Sequence, residues 1–423
     1  MASEKNLNAV FTDIANAIRG KKGTTDQIKP INMAEEITNL PSGGGSFPPD
    51  WAEIGYDETP PYILDDFEYA KKIANEWDNT KTTLRYSSNT NLYFFPKVDT
   101  SKITNMQYAF DSDSNLKYIP LLDTSNVTTM YMAFHGCSEL KKIPCFNTSK
   151  VTTMTYMFES CYSLEELPPL DTSMVKSMYG FLWGCSSLKE VPFLNTSNVT
   201  NMRAMFYDCR KLKTIPLLDT SKVTNIQSMF DSCSSLTTIP QLNTSSATSM
   251  RYMFNGCSSL TTIPQLDTSN VTDMYQMFAG CSKLINIPQL NTSKVTDMQV
   301  IFNGCSLLTT IPQLDTSKVT NMNNMFYNCS SLTTVPQLDT SKVTDMGYMF
   351  KNCTSLKSIL MYGMKVSFDI SASTQFEESD LVTILNNLAT VTSTKTLTMG
   401  STNLAKLTDE EKAIATNKGW TLA

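Results

Sequence analysis

Apolar positions recur every 24 residues along this chain, without insertion or deletion, from about residue 99 to residue 360. One copy, residues 267–290, reads DTSNVTDMYQMFAGCSKLINIPQL. Leucine, phenylalanine, cysteine and a β-branched or leucine residue each return in a fixed column. Strictly phased repeats of this length stack so that each unit buries its apolar side only against its neighbours. The pattern predicts a repeat solenoid of about eleven copies.

The apolar columns are interpreted as the interior of the solenoid. They run from Leu116 to Leu356, from Phe110 to Phe350 and from Cys137 to Cys353. Asp113 holds the cysteine slot of the first copy, and Cys145 is the one cysteine outside the column. Stacked cysteines could come close enough for disulfides. A column of inward-facing free thiols is the favoured interpretation, because cysteine packs as a small apolar residue.

Three segments of the repeat predict local structure. Leu-x-x-Ile/Val-Pro is short and partly β-branched, and predicts one strand per copy in a parallel sheet that stops at the proline. Val-Thr-x-Met-x-x-Met-Phe fits either a short helix or a second short strand, and the sequence leaves both open. The Asp/Asn-Thr-Ser corner predicts a turn or a helix N-cap.

The chain outside the repeats predicts five regions. Residues 1–40 hold two short amphipathic helices, 41–50 (PSGGGSFPPD) a linker, 51–97 an N-terminal cap, 98–360 the solenoid and 361–423 a C-terminal cap. The first cap predicts a helix over 65–77 and a strand over 92–95. The second cap predicts strands at 366–371, 395–400 and 420–423, and helices at 376–389 and 408–419.

The first 40 residues are predicted to attach the chain to copies of itself or to a partner, because two short helices bury little by themselves. Their apolar positions are Phe11, Ile14, Ile18, Ile28, Met33 and Ile37. The first 20 residues contain no apolar run of seven or more, and no stretch of the sequence is long enough to span a bilayer. We therefore expect no signal peptide and no membrane insertion.

Composition and motifs argue against several classes of function. The net charge is −6 with no basic stripe, which argues against nucleic acid as a partner. His135 is the single histidine, so the sequence has too few histidines for a histidine-rich metal site and only one candidate base for a catalytic triad. Phosphate-loop and dinucleotide fingerprints are missing from the sequence. We expect no catalytic residue, no cofactor and no metal site, and hence no enzyme.

Function is therefore expected in the variable columns. Aromatic residues concentrate between the paired methionines and just after the phenylalanine column: Tyr108, Tyr131, Tyr156, Tyr179, Trp183, Tyr207, Tyr252, Tyr275, Tyr327 and Tyr348. Such side chains are common in protein-binding and sugar-binding surfaces. They could also simply cover the neighbouring turn. Charged strand slots in the first half, such as Lys141 and Glu165, give way to a glutamine ladder from Gln241 to Gln337, so a protein contact is placed nearer the charged half.

Two resemblances follow from quoted residues. The motif VTDMYQMFAGCSKL resembles the BspA-like leucine-rich repeats of bacterial surface proteins, over roughly residues 96–360, and implies a leucine-rich-repeat solenoid of α/β type with a binding role. The segment IANAIRGKKGTTDQIKPINMAEEI, within residues 7–40, resembles a module at the N-terminus of bacteriophage tail-fibre and baseplate proteins, and implies attachment to other virion proteins.

Together these features predict a bacteriophage virion protein, a component of a tail, baseplate or head fibre, whose solenoid contacts a neighbouring protein, a host surface protein or a glycan. It would assemble in the host cytoplasm and form homo-oligomers. The alternative is a bacterial cell-surface or secreted adhesin of the BspA-like type.

Overall fold

The structure, a computed structural model, describes residues 68–423. The predicted attachment segment and linker, with Phe11, Ile14, Ile18, Ile28, Met33 and Ile37, lie outside the described residues. The described chain divides into two compact units, residues 68–175 with 192–195 and residues 176–191 with 196–423. Within each unit, rungs of 24 residues stack in parallel, so the predicted leucine-rich-repeat solenoid is confirmed.

The first unit begins with helix α1, Glu68–Asn75, which buries Ala70 and Ile73. The predicted helix over 65–77 therefore agrees with α1 over the described residues. The strand predicted at 92–95 is reduced to a single parallel bridge, Phe94 to Tyr118. Further bridges pair Thr83 with Asn105 and Asn105 with Thr129, which fixes the register of the rungs at 24 residues or close to it.

The second unit repeats this register. Parallel bridges join Ser177, Asn201 and Asn225, and a second series joins Ser249, Asp273, Asp297, Asn321 and Asp345. Strands β1 (Thr334–Val335) and β2 (Ser358–Ile359) form a two-stranded parallel sheet. These two strands fall in the predicted Leu-x-x-Ile/Val-Pro segment, and β1 ends directly before Pro336, as expected for a residue without an N–H donor.

The predicted strand is shorter than expected in most rungs. Elsewhere in residues 68–423 the segment joins its neighbour through single hydrogen bonds, such as Glu165 N to Lys141 O (2.9 Å) and Thr237 N to Lys213 O (3.1 Å). The proline ends the series of strand hydrogen bonds at the C-terminal end of the segment, because it has no N–H donor. The tight turn before the leucine ends it at the N-terminal end. Each rung therefore retains room for only one or two paired residues.

The Val-Thr-x-Met-x-x-Met-Phe segment forms neither of the two structures that the sequence left open. It makes one bridge and then two consecutive turns. In the first rung Ala109 N donates to Met106 O (3.1 Å) and Asp113 N donates to Phe110 O (3.2 Å). The third residues of these turns, Tyr108 and Ser112, have φ of 57° and 63°. Positive φ at that position is the geometry of a type II turn.

The same two slots have positive φ throughout the repeats. The second slot holds Gly, Ser, Asp or Asn, residues that tolerate this region. The first slot is less restricted: it holds larger residues in most rungs, including Val300 at φ 64°. A β-branched side chain in the left-handed region is strained, which costs about 1–2 kcal/mol.

Replacing Val300 with asparagine is expected to stabilise the protein by about 1 kcal/mol, because asparagine tolerates positive φ. Asn324 already holds this slot one rung further on, at φ 54°. The reciprocal variant Asn324→Val should lose a similar amount. Urea denaturation of both variants measures the two shifts, and a destabilised Val300→Asn would contradict the strain.

The interior is built from stacked rings and thiols. In the second unit Phe206, Phe230, Phe254, Phe278, Phe302, Phe326 and Phe350 stack with ring centroids 5.6–5.8 Å apart and nearly parallel planes. All eleven cysteines are free, as predicted, and the ten of the column are buried. Thiols of the column donate to the phenylalanine-column carbonyl one rung earlier, as from Cys257 Sγ to Phe230 O (3.0 Å). The thiols thus pack in the core and also donate hydrogen bonds to buried backbone carbonyl groups.

The rung corners are Asx turns, in agreement with the turn predicted there. Asp99 Oδ1, for example, accepts from Ser101 N at 3.0 Å, and hydrogen bonds from the Ser101 hydroxyl and then from its backbone N–H lower the pKa of Asp99. The buried threonine beside each corner ties rungs together, as when Thr268 Oγ1 donates to Asn291 O (2.9 Å). The glutamines also stack: Gln241 Nε2 donates to Gln265 O at 2.6 Å. These contacts make the glutamine ladder a part of the rung stacking.

The C-terminal residues close the second unit with a three-stranded parallel sheet in the order β3–β4–β5: β3 is Phe368–Asp369, β4 Lys395–Thr398 and β5 Trp420–Leu422. Helices α2 (Glu378–Asn387), α3 (Ser401–Leu404) and α4 (Asp409–Thr416) connect the strands. Thr408 caps α4, since its hydroxyl accepts from Glu411 N. All the predicted elements of this region occur, and α3 is additional.

None of the helices in residues 68–423 combines the length and apolar character that a bilayer crossing requires.

Candidate binding surface

The aromatic residues singled out by the sequence lie on the first type II turn of each rung and directly after its phenylalanine. In this segment the recurring methionine and phenylalanine side chains are buried in the core, while the tyrosines between them lie at the surface. Most of the ten aromatic side chains are half-buried, and Tyr348 is 63% exposed. Rings of this kind combine apolar area with a hydroxyl near water.

In the first unit the turns bring three tyrosines and an arginine together. The rings of Tyr108 and Tyr131 meet edge to face with centroids 5.4 Å apart, and Tyr156 follows at 6.4 Å from Tyr131. The guanidinium of Arg85 lies 5.4 Å from the centroid of the Tyr108 ring. We call Arg85, Tyr108, Tyr131 and Tyr156 the first tyrosine cluster. Burial, followed by the nearby Tyr108 hydroxyl, raises the pKa of Tyr131, so the phenol stays a neutral hydrogen-bonding group at physiological pH.

The second unit holds a cluster of the same chemistry. The rings of Tyr252 and Tyr275 lie 5.3 Å apart at a steep angle. The Arg251 guanidinium lies 4.2 Å from the Tyr275 ring centroid and 5.1 Å from that of Tyr252. Asp273 holds this arginine at 3.3 Å from Nη1. We call Arg251, Tyr252, Asp273 and Tyr275 the second tyrosine cluster. These side chains hold one another in place, so binding a partner would cost less conformational entropy than ordering free side chains would.

The remaining predicted aromatics of the second unit form smaller groups. Trp183 and Tyr207 contact each other with centroids 4.7 Å apart. Tyr179 lies under the guanidinium of Arg203 at 5.4 Å. Lys351 lies 5.1 Å from the Tyr348 ring and 5.9 Å from the Tyr327 ring. Every predicted aromatic therefore has an aromatic or cationic neighbour, but the structure groups them into separate clusters.

The cationic partners were missed by the sequence reasoning. Arg203 and Arg251 occupy the slot that Tyr131, Tyr179 and Tyr275 fill in other copies. Aligning the copies in columns would have placed these arginines beside tyrosines one rung away. Arginine over an aromatic face contributes about 0.5–1 kcal/mol at exposed sites and is itself frequent in protein interfaces.

The single histidine belongs to a polar column of the first unit. His135 Nδ1 lies 2.6 Å from Asp111 Oδ1, and its Nε2 lies 3.7 Å from Glu159 Oε2. Burial is the main cause that raises the pKa of Glu159, while His135 lowers it. The three residues come from successive rungs at the same slot, which the 24-residue spacing could have predicted. They satisfy one another across the rungs, and no nucleophile takes part in these contacts.

No group of three or more His, Cys, Asp or Glu side chains in the described part of the chain is placed to hold a metal ion. The ten column thiols are buried, and burial raises the pKa of Cys281, for example, to about 12. A thiol in that state is neither a nucleophile nor a metal ligand near neutral pH. The chemistry of the described surface is therefore that of aromatic, cationic and amide side chains, which suits binding.

Stacked 24-residue rungs with a leucine, phenylalanine and cysteine core define a leucine-rich-repeat solenoid protein. The chain belongs to the family described as "Mycoplasma protein of unknown function, DUF285", whose profile matches residues 79–191, 176–286, 261–362 and 283–383. Among proteins with curated descriptions, none matches the chain significantly.

Similar solved structures are leucine-rich-repeat proteins. A leucine-rich cell-surface protein from Faecalibacterium prausnitzii is 20% identical, with 67% of this chain and 80% of that chain covered and a TM-score of 0.41. Leucine-rich-repeat proteins from Bacteroides ovatus and Eubacterium ventriosum are both 18% identical with TM-scores of 0.34. The first covers 78% of this chain and 83% of its own, and the second covers 64% and 87%.

Proposed function

We propose that this chain is a non-enzymatic binding protein of the bacterial cell-surface type, and that its tyrosine clusters contact a protein or glycan on another cell. The observation that carries the proposal is the second tyrosine cluster, in which an arginine, an aspartate and two tyrosine rings are held together on the outside of the rungs. Tyrosine and arginine are the residues most enriched at binding hot spots.

The regularity of the surrounding rungs supports the same proposal. The corner threonines, and the glutamines from residue 241 onward, repeat from rung to rung and bond to the next rung, so their presence is explained by the fold without a ligand. The aromatic and arginine slots differ from rung to rung. Exposed slots that vary while the interior columns stay constant are typical of the recognition positions of a solenoid.

The virion hypothesis is the second candidate. What favours it is the resemblance of residues 7–40 to a bacteriophage assembly module, and those residues lie outside the described part of the chain. A leucine-rich cell-surface protein is among the similar solved structures, which supports the surface hypothesis rather than the virion hypothesis. The attachment role of residues 1–40 and a location in a virion stay predictions.

A variant with four tyrosines replaced tests the proposal. Tyr108→Ser, Tyr131→Gln, Tyr252→Ser and Tyr275→Gln together give these slots residues that Ser228, Gln227 and Gln299 already provide in other rungs. The fold should therefore be retained while the aromatic surface is lost. We expect fluorescently labelled variant to bind intact cells at least about tenfold more weakly than the wild type, since even one hot-spot truncation costs this much.

The matched control is Tyr162→Ala, which removes a 50% exposed tyrosine outside these clusters and should leave binding unchanged. Flow cytometry on animal cells and on bacterial cells separates the two candidates. Binding to animal cells is the result expected of a surface adhesin of a mycoplasma-like bacterium, and binding to bacterial cells is the result expected of a phage fibre. Equal binding by the wild type and the four-tyrosine variant would contradict the proposal.

A further inference from the structure

One exposed slot of the rung, the residue directly after the proline column, is apolar in the earlier rungs, up to Leu217, and glutamine from residue 241 onward. In rungs of the second unit it holds Gln241, Gln265, Gln289 and Gln313, each of which donates its amide to the backbone of the next rung. In the first unit the same slot holds Leu121, Cys145, Pro169 and Phe193. Of these, Cys145 donates its thiol to Pro169 O, whereas the side chains of Leu121 and Pro169 carry no donor. This slot is therefore tied to the next rung less regularly than the glutamine slot is.

These four residues lie in one stripe. Cys145 Sγ contacts Pro169 O at 3.4 Å, one rung further on, and the neighbouring Thr148 hydroxyl donates to Asp171 O at 2.8 Å in the same register. Leu121 is 37% exposed, Pro169 is exposed, and Cys145 and Phe193 are half-buried. The prolines before them widen the stripe, as with Pro144 and Pro168, which are also half-buried. We call Leu121, Cys145, Pro169 and Phe193 the apolar stripe.

Charged side chains lie beside the apolar stripe and have opposite signs on adjacent rungs. Lys141 and Lys142 precede Cys145 on the second rung, and Glu165 and Glu166 precede Pro169 on the third. All four are exposed. Glu165 N donates to Lys141 O at 2.9 Å, so the basic rung and the acidic rung are direct neighbours. The face therefore carries a positive and a negative row side by side.

The charges of the second and third rungs are complementary to themselves, and this outweighs the single like-charge pair, Lys117 with Lys189, that the same symmetry brings together in the outer rungs. The two-fold axis of such a dimer lies in the plane of this face, parallel to the chain direction within a rung and midway between the second and third rungs. It brings two copies face to face, with their rungs stacked in opposite orders. The Lys141–Lys142 row of each copy then meets the Glu165–Glu166 row of the other. Along the apolar stripe, Cys145 meets Pro169 and Leu121 meets Phe193. Such an isologous contact is the commonest symmetry of protein oligomers.

We propose that this face of the first unit, the apolar stripe with its flanking lysine and glutamate rows, is a homodimer interface whose occupant is a second copy of this chain. Charge complementarity selects that occupant over a partner of a single charge, which one of the two rows would repel. The patch is four rungs wide, at about 4.8 Å per rung, and five residues long, at about 3.3 Å per residue, so its area is on the order of 300 Å². That is well below the roughly 800 Å² per partner of standard interfaces, so the dimer is weak and depends on concentration.

The test uses two charge-reversed full-length chains. Lys141→Glu/Lys142→Glu makes both rows acidic, and Glu165→Lys/Glu166→Lys makes both rows basic. Sedimentation equilibrium is measured over a series of protein concentrations up to about 1 mM, so that a dimer with a dissociation constant as weak as that is still detected. The wild type should show a dimer whose fraction rises with concentration. Each reversed chain alone should associate at least roughly tenfold more weakly, and an equimolar mixture of the two should restore the dimer. Circular dichroism checks that both chains are folded.

A second pair of variants tests the apolar stripe. Leu121→Gln supplies the residue that the second unit uses in this slot, and it should weaken the wild-type dimer. Leu217→Gln changes the same slot at a 67% exposed leucine outside the four-rung face, and it should not. A wild type that stays monomeric throughout, or reversed chains that each associate as the wild type does, would overturn the proposal. The second of these results is the one expected if residues 1–40 alone hold the copies together.

Discussion

Replacing Phe254 with alanine is expected to lower the free energy of unfolding by about 3–5 kcal/mol, the usual cost of emptying a phenylalanine site in a core. Phe254 is fully buried between two stacked rings, with centroids 5.7 Å from Phe230 and 5.8 Å from Phe278. Removing it opens a cavity and interrupts the column. Because each rung contacts only its neighbours, the surrounding rungs lose their packing on both sides.

The matched control for this substitution is Phe254→Leu. Leu182 already fills this slot of another rung and is fully buried there. Leucine should therefore cost much less, about 1–1.5 kcal/mol. Urea denaturation followed by circular dichroism measures both variants. A cost below about 1 kcal/mol for alanine, smaller than any ordinary buried phenylalanine, would mean that the phenylalanine column is not the core.

Replacing Asp113 with asparagine is expected to remove a pH dependence of stability. Asp113 occupies the first slot of the cysteine column and is fully buried. Its Oδ1 accepts from Asn89 N at 2.6 Å, while its Oδ2 is buried without a hydrogen-bond partner. Burial raises the pKa of Asp113 to about 7, and the nearby Asp111 adds to the rise.

The raised pKa fixes the sign of the effect. Between the unfolded pKa of about 3.9 and the folded pKa of about 7, the folded protein binds the extra proton, so stability falls as the pH rises through this window. The loss amounts to something on the order of 2–4 kcal/mol and is complete above about pH 8. Asp113→Asn keeps the acceptor for Asn89 and cannot ionise. It should be more stable than the wild type at pH 8 by a comparable amount.

The control is Asp123→Asn, at an exposed corner that other rungs fill with asparagine. This variant should keep the decline in stability between pH 4 and pH 7. Urea denaturation at several pH values, with hydrogen exchange of the amides around residues 106–116 as a local readout, measures the effect. An Asp113→Asn profile that still declines like that of the wild type would show that another group is responsible.

The columns of the sequence predicted the interior because a 24-residue register leaves little freedom. Leu116, Phe134 and Cys137 are buried as their columns required, since a position that is apolar in every rung has no reason to be outside. The same argument predicted the free thiols. The C-terminal helices and strands were also predictable, because periodicity and capping residues such as Thr408 are local signals.

The conformation of the rung was not predictable from the same information. Two consecutive type II turns need positive φ at slots such as Tyr108 and Val300, where single-residue preferences argue against it. The hydrogen bonds and packing of the neighbouring rungs, as from Val300 N to Asn323 O at 3.0 Å, impose that conformation on whatever side chain is present. The contacts between stacked rungs therefore outweigh the backbone preference of the individual residue.

The candidate site was predicted as a set of tyrosines but not as clusters. Tyr252 and Tyr275 are in different sequence slots, and only the turn geometry shows that their rings meet one rung apart. The arginine between them, Arg251, was hidden because a column of mixed residue types gives no apolar or polar signal. The apolar stripe was missed for a similar reason: leucine, cysteine, proline and phenylalanine do not look like one column until the glutamines of the other rungs define the slot.

The most direct measurement of the central claim is photo-crosslinking from the aromatic slot itself. The photoreactive analogue p-benzoyl-phenylalanine, placed at Tyr348, keeps an aromatic ring at a 63% exposed position of that slot. The same analogue at Tyr162, 50% exposed and outside the slot, is the control. After irradiation on the cells that the wild type binds, we expect a covalent adduct with a cell-surface molecule from position 348 and little or none from position 162. Adducts that form equally from both positions, or only from position 162, would contradict the claim that the aromatic turns are the binding surface.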